Sequence, residues 1–223
     1  MPIIQTIDLS KYYTNGAVVK AVDGISLTIE NGELTSLVGP SGSGKTTLLN
    51  LVGGIDRPTG GRTIFDGKDI TSLSENKLSE LRLQKIGFVF QSYNLIPVLT
   101  AFENVEFVLI LQGLNRAERR ERVMPVLREL GLESLADRRL NKLSGGEQQR
   151  VAVARAIVGE PLIVLADEPT ANLDSENAAG LMDIIQKLNE EKGVTFLLST
   201  HDQRVVHRTK RVIRLVDGKI TQD

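Results

Sequence analysis

Leu34-Thr35-Ser36-Leu37-Val38, then Gly39-Pro40-Ser41-Gly42-Ser43-Gly44-Lys45-Thr46-Thr47, then Leu48-Leu49-Asn50-Leu51-Val52: the reading of the whole chain turns on this stretch. The first block is the short apolar run of a buried strand, and residues 45–52 read as a helix closed by Gly53-Gly54. Between them the glycines let the backbone curl until successive N–H groups point inward at one spot. The helix N-terminus adds its partial positive charge there. This spacing, G-x-x-x-x-G-K-[ST] between strand and helix, is that of a loop cradling the phosphates of a nucleoside triphosphate. Lys45 is expected to reach the β- and γ-phosphates, and the Thr46 hydroxyl to ligate Mg²⁺. The competing reading is a chance Gly/Ser connection, and the flanking strand and helix argue against it. The motif leaves the reaction open.

On either side of the loop the chain changes character twice. Before it, residues 3–9, 18–22 and 25–29 read as strands, with turn signals at Asn15-Gly16 and Asn31-Gly32. Residues 86–90 form a further apolar strand. From about 92 to 159 the pattern is mainly helical, over 101–112, 116–130 and 144–158. After that, strand and helix alternate: 162–166, 175–190, 195–199, 203–209 and 212–216. Such alternation predicts parallel strands joined by crossover helices. We therefore expect an α/β fold: a mixed-sheet core from residues 1–91 and 160–223, with an antiparallel β portion at the N-terminus. Residues 92–159 are expected to form a helical subdomain inserted in that core.

Bulk properties bound the function. The chain has 223 residues, 41% hydrophobic and 25% charged, an ordinary globular balance. A net charge of -1 gives no support to a nucleic-acid-coating or polybasic membrane-binding role. Cysteine is absent, so disulfides and thiolate metal sites are excluded. No run approaches the roughly 20 apolar residues needed to span a bilayer. The opening Met1-Pro2-Ile3-Ile4-Gln5-Thr6 lacks the features of a secretory signal. These observations lead us to expect a cytosolic chain whose membrane association comes through a partner.

A second chemical element follows the strand at 163–166. Asp167-Glu168 falls at the carboxyl edge of the sheet, where open α/β sheets bind ligands. Asp167 suits Mg²⁺, held through water. Glu168 points another way and is placed to act as general base on the attacking water. The mundane alternative is a capping or surface acid pair.

Phosphate-loop proteins span kinases, GTPases, helicases and transport ATPases, so one more element must choose between them. Leu143-Ser144-Gly145-Gly146-Glu147-Gln148-Gln149-Arg150 does so, because it resembles the signature L-S-G-G-[QE] of ABC transporter ATPases. Ser144 and the two glycines open an apolar-patterned helix, a second anion site built from a helix tip and a small hydroxyl. The resemblance implies that the signature Ser144, Gly145, Gly146 and Glu147 of one copy closes over ATP held by another. Two copies then trap two nucleotides head to tail, a two-fold homodimer where the partner is identical.

The same resemblance carries over further positions. Gln91 matches a glutamine that contacts Mg²⁺ and senses the membrane partner. Asp174, in Ala171-Asn172-Leu173-Asp174, matches the loop running along the dimer interface. His201, in Ser199-Thr200-His201-Asp202, matches a histidine on the γ-phosphate, and Tyr13 an aromatic that stacks on adenine, although Tyr12 adjoins it. Glu147 stands where glutamine is commoner, and Ala171 where serine or glycine is frequent. The charged segment at 115–122 reads as a solvated face.

The apolar segment from Gln91 through Leu95-Ile96-Pro97-Val98-Leu99 to Val105, with Leu165-Ala166-Asp167-Glu168-Pro169-Thr170, is similar to the macrolide-exporter and lipoprotein-releasing branch. Part of that segment must be core, and part is expected to receive a cytoplasmic helix of an integral membrane permease at the cytoplasmic face of the inner or plasma membrane. The alternative within the family is a non-transporting complex of the cell-division or mechanotransmission type. Outside it, a DNA-repair or translation ATPase would need long insertions. A non-hydrolysing module would have no use for Glu168 and His201, and a small-molecule kinase none for Ser144-Gly145-Gly146.

Overall fold

The computed structural model describes residues 2–14 and 16–223. Met1, in the opening stretch examined for a signal, and Asn15, half of the Asn15-Gly16 turn, lie outside the described residues. In chain order the elements are β1 (Pro2–Tyr13), β2 (Val19–Glu30), β3 (Leu34–Val38), α1 (Lys45–Val52), β4 (Gly60–Phe65), β5 (Lys68–Asp69) and α2 (Glu75–Lys85). Then come β6 (Ile86–Val89), α3 (Ala101–Leu111), α4 (Arg116–Glu129), α5 (Gly145–Ile157), β7 (Ile163–Asp167) and α6 (Ser175–Lys192). The chain ends with β8 (Thr195–Thr200), α7 (Gln203–Val206), β9 (Arg211–Val216) and β10 (Lys219–Gln222).

Two sheets form the frame. One is antiparallel, ordered β2-β1-β4-β5, and the other is ordered β10-β9-β3-β8-β7-β6. In the second, β3, β6, β7, β8 and β9 run parallel and only β10 is antiparallel. Helix α1 lies between the sheets, touching β1, β2 and β4 on one side and β7 and β8 on the other. Helices α3, α4 and α5 fall in sequence between the neighbouring strands β6 and β7 and pack on one another.

The central strands read as continuous apolar runs because both faces are covered. Alternate residues serve two cores. Leu37, Leu165 and Leu197 join Leu48, Leu51, Val52 and Phe65 around α1. Val164, Ala166, Phe196 and Leu198 face the other way, with Val105, Leu109, Leu127 and Val151 of the helical block and Leu181 and Ile185 of α6.

The structure departs from the sequence expectations in five places. The runs at 18–22 and 25–29 are one strand, β2, because Asp23 and Gly24 stand opposite the single residue Ser10 as a bulge rather than a turn. The hairpin of β4 and β5, the helix α2 and the last strand β10 were not anticipated. Helix α2 buries only Leu78, so it has no apolar stripe to read. The helix expected over 203–209 is only four residues long, ending at Val206.

Because α1 fills the space between the sheets, Leu48→Ala leaves a cavity with little room to collapse. We expect it to destabilise the fold by about 2–5 kcal/mol in urea unfolding, and a loss below about 1 kcal/mol would contradict this placement.

Candidate active site

Parallel strands bring their carboxyl ends to one edge, so the loops after β3, β6, β7 and β8 converge there. Val38 at the end of β3 is level with Thr200 on β8, and Ser199 with Asp167 on β7. A cleft of about 800 Å³ opens at this edge. Ser41, Gly42, Ser43, Gly44, Lys45, Thr46 and Thr47 line it, together with Gln91, Glu168 and His201. Seven residues of the phosphate loop and three later ones, far apart in sequence, thus share one space. Gly39 and Pro40 stand behind it, their carbonyls accepting from Lys45 Nζ at 2.8 and 3.0 Å.

The loop's shape is enforced locally. Gly44 caps α1 at φ 104°, and a Cβ there would lie 2.0 Å from the Ala21 carbonyl oxygen. No other residue fits. The first-turn amides of α1 have no upstream helical carbonyl to bond, so they are free to meet an anion in the cleft. Lys45 is only 7% exposed, and Ser43, 2% exposed, has a hydroxyl with no partner among the described residues. A buried donor without a partner is what a phosphate oxygen would satisfy.

The two acids turn to different partners. Thr46 Oγ1 lies 2.9 and 3.1 Å from the two Asp167 carboxylate oxygens, and the Ser199 hydroxyl donates to Asp167 Oδ1. Glu168 takes a left-handed backbone, φ 48°, with its N–H donating to the Ser199 carbonyl at 3.1 Å. That turn sends its carboxylate away from Asp167 to His201, whose Nδ1 is 2.9 Å from Glu168 Oε1. The Glu168 side chain is 14% exposed and that of His201 68%. Hydroxyl, carboxylate and amide oxygens at Thr46, Asp167 and Gln91 are hard donors of the kind Mg²⁺ prefers. Among the described residues no cluster of three or more His, Cys, Asp or Glu side chains could hold a metal.

Four expected site residues lie elsewhere. Ser144, Gly145, Gly146 and Glu147 sit at the tip of α5, outside the cleft of their own chain. Ser144 Oγ accepts from the Glu147 N–H at 3.3 Å, and Glu147 Oε2 accepts from the Ser144 N–H at 2.6 Å, a reciprocal cap. That Ser144 N–H holds the Glu147 carboxyl below the usual carboxylate range, with Arg150 and Arg138 adding to the effect. A Cβ on Gly146 would meet Asn177 Oδ1 at 2.3 Å, so the glycine lets α5 start hard against α6. Asp174 caps α6, accepting from the Asn177 N–H at 2.8 Å, and this bond lowers its pKa.

Tyr13 is also outside the cleft-lining set. Its hydroxyl donates to Asp56 Oδ2 at 3.1 Å and Lys11 Nζ sits 5.2 Å above the ring. It is nevertheless the more exposed of the tyrosine pair, Tyr12 being tied to Asp23. Sequence reading missed Val18 and Val19, which line the cleft while 62% and 58% exposed, and Lys20 and Asp217 beside them. It also gave Ser199 no role, although this one residue anchors both Asp167 and Glu168. Exposed valines in a strand pattern look like any edge residues, and a lone serine carries no spacing signal.

Comparison with known proteins agrees with this geometry. The ABC transporter family profile matches residues 22–171, from the first sheet through the phosphate loop and α5 to the carboxylate pair. The chain is 47% identical over its full length to the macrolide export ATP-binding/permease protein MacB of Hyphomonas neptunium, of which it spans 34%. It is 46% identical to the ABC transporter ATP-binding protein YtrE of Bacillus subtilis, over 90% of this chain and 87% of that one. Among solved structures, the dimeric post-hydrolysis state of the ATP-binding cassette MJ0796 bound to ADP and Pi superposes with TM-score 0.91 at 42% identity, covering 98% of this chain and 97% of that one. Likeness of this extent, running through every strand and helix that builds the cleft, places the chain in the ABC transporter family: it belongs there as an ATP-binding cassette, an ATPase that uses ATP with Mg²⁺.

Proposed function

We propose that two copies of this cassette close head to tail on two ATP molecules and so drive an integral membrane permease of the exporter type. The observation that carries this reading is the separation within one chain. The phosphate loop, Glu168 and His201 share a cleft, while the Ser144 helix tip lies outside it. A helix tip with an exposed serine and two glycines is an anion site that its own cleft does not use. The twin's nucleotide is the natural occupant, and the relative solved with ADP and Pi is a dimer.

The residues then act as follows. The phosphate-loop amides and Lys45 hold the β- and γ-phosphates, while Tyr13, on the adjoining sheet, packs on the adenine. Thr46, Asp167 and Gln91 would hold Mg²⁺, which would supply withdrawal of charge from the phosphate oxygens. Glu168 accepts a proton from water as the water oxygen bonds to the γ-phosphorus. The bond from that phosphorus to the bridging oxygen breaks, giving ADP and phosphate. Ser199 and His201 keep the Glu168 carboxylate aimed, and His201 also faces the γ-phosphate. Asp174 lies along the seam, and Ser144 with Gly145 to Glu147 closes it from the partner. ATP favours the closed dimer because it makes contacts there that the open form lacks.

Support for a permease comes from the surface. Val98, Phe107, Ile110 and Leu111 are 73%, 39%, 44% and 57% exposed. Of these, Leu111 lines a groove of about 430 Å³ together with Phe88, Phe90, Val108 and Arg155. Arg155 donates to the carbonyls of Tyr93 and Asn94, two residues beyond Gln91. A cytoplasmic helix seated there would move Gln91 and the helical block at 92–159 together. Among the described residues no helix is long and apolar enough to cross a membrane, so in this reading the cassette sits at the cytoplasmic face through its partner. The names of the similar proteins favour export over the non-transporting alternative.

Glu168→Gln is expected to bind ATP, to lose turnover by about 10²- to 10⁴-fold, and to elute as a stable dimer only with ATP; undiminished phosphate release would take Glu168 out of its role. Ser144→Arg should abolish that ATP-dependent dimer in gel filtration while leaving nucleotide binding to the monomer intact. A stable ATP-dependent dimer of the arginine variant would sink the sandwich.

A further inference from the structure

We infer that Gln149 is a positioning residue through which one nucleotide site of the dimer sets the catalytic carboxylate of the other; the inference rests on the sandwich proposed above. Gln149 is fully buried on α5, and its Nε2 donates to the Pro169 carbonyl at 2.7 Å. Pro169, itself buried, follows Glu168 directly. On the other side the Glu168 N–H is held by the Ser199 carbonyl of β8. The Glu168-Pro169 segment therefore hangs between two anchors, a strand of its own sheet and the signature helix.

That helix ends at Ser144. Gln149 lies five positions further on, about 7.5 Å along a rigid rod. In the sandwich, Ser144 of a given copy meets the ATP held by the twin, whereas Glu168 of the same copy works on the ATP held at home. A shift of α5 as Ser144 engages one phosphate is thus delivered, through a single buried hydrogen bond, to the carboxylate serving the opposite nucleotide. Chemistry at each site becomes conditional on closure of the other.

The amide is not explained by packing. Its oxygen is buried without a partner among the described residues, a cost that a methionine or leucine of similar volume would not carry. The Pro169 carbonyl, in turn, would be left without this donor if the amide moved away, so the two travel together. Only the hydrogen bond to Pro169 gives the polar group a purpose.

Mixed dimers test this, with a different purification tag on each copy and one copy carrying Glu168→Gln so that a single site turns over. Gln149→Met on the copy that keeps Glu168 should slow single-turnover ATP cleavage by about 10- to 100-fold, as expected for a misplaced catalytic group. The same change on the Glu168→Gln copy should alter it by less than about twofold, because that copy contributes only its signature tip to the working site. Gln149→Asn, too short to reach Pro169, serves as the second variant where methionine impairs folding. In the homodimer, Gln149→Met should bring the steady-state Hill coefficient down toward about 1 while ATP binding to the monomer is unchanged. Equal slowing in both mixed dimers, slowing in neither, or an unaltered Hill coefficient would overturn the inference while leaving the sandwich intact. Failure of Glu168→Gln to dimerise with ATP would overturn the sandwich, and the inference with it.

Discussion

The site depends on where the N-terminus of α1 is held. Its first-turn amides can gather phosphate only if the helix starts at the carboxyl end of β3, and burial between two sheets prevents it from sliding. Leu48, Leu51 and Val52 are fixed on both sides, and Gly44 allows the backbone to pass within contact of Ala21 at the helix start. Everything that follows uses this fixed point. Thr46 can bond Asp167 because β7 lies two strands from β3, with β8 between them, and ends level with the loop.

Ser199 is the second determinant, and it works by economy of placement. Lying on the strand between β3 and β7, it donates to Asp167 through its hydroxyl and accepts the Glu168 N–H through its carbonyl. Two adjacent acids would ordinarily compete for the same side of the chain. Here the left-handed turn at Glu168, φ 48°, separates them, one carboxylate to Thr46 and the other to His201. A non-glycine residue in that region is strained, and the strain is located where the two carboxylates part.

Much of this was legible in the sequence, for physical reasons that also set the limit. The phosphate loop was readable because backbone curvature, helix start and charged side chain impose a spacing on nine consecutive residues. Helices α3 and α6 were readable because each buries one face, and α5 because the cap at Ser144 is followed by an apolar stretch that is buried nearly all round. Helix α2 and the β4–β5 hairpin bury too little to leave a pattern, and the β2 bulge looked like a gap between two strands. Within the site, Val18 and Val19 were invisible because exposure at a strand edge is a tertiary property. The pairing of His201 with Glu168 joins residues 33 positions apart, which no local pattern records.

The departure at Glu147 shows how little the signature tip tolerates by accident. A carboxylate beside a phosphate site looks like a defect, since like charges repel. Yet the capping box accepts glutamate or glutamine alike, because only an acceptor for the Ser144 N–H is required. That bond, with Arg150 and Arg138 nearby, keeps the acid ionised and offsets its charge. Meanwhile Ser144 Oγ accepts from the Glu147 N–H, and the Ser144 hydroxyl also helps to hold the Glu147 carboxyl below its usual range. The acid residue therefore serves twice: its carboxylate satisfies the Ser144 N–H, and its own N–H holds the Ser144 hydroxyl at the head of α5.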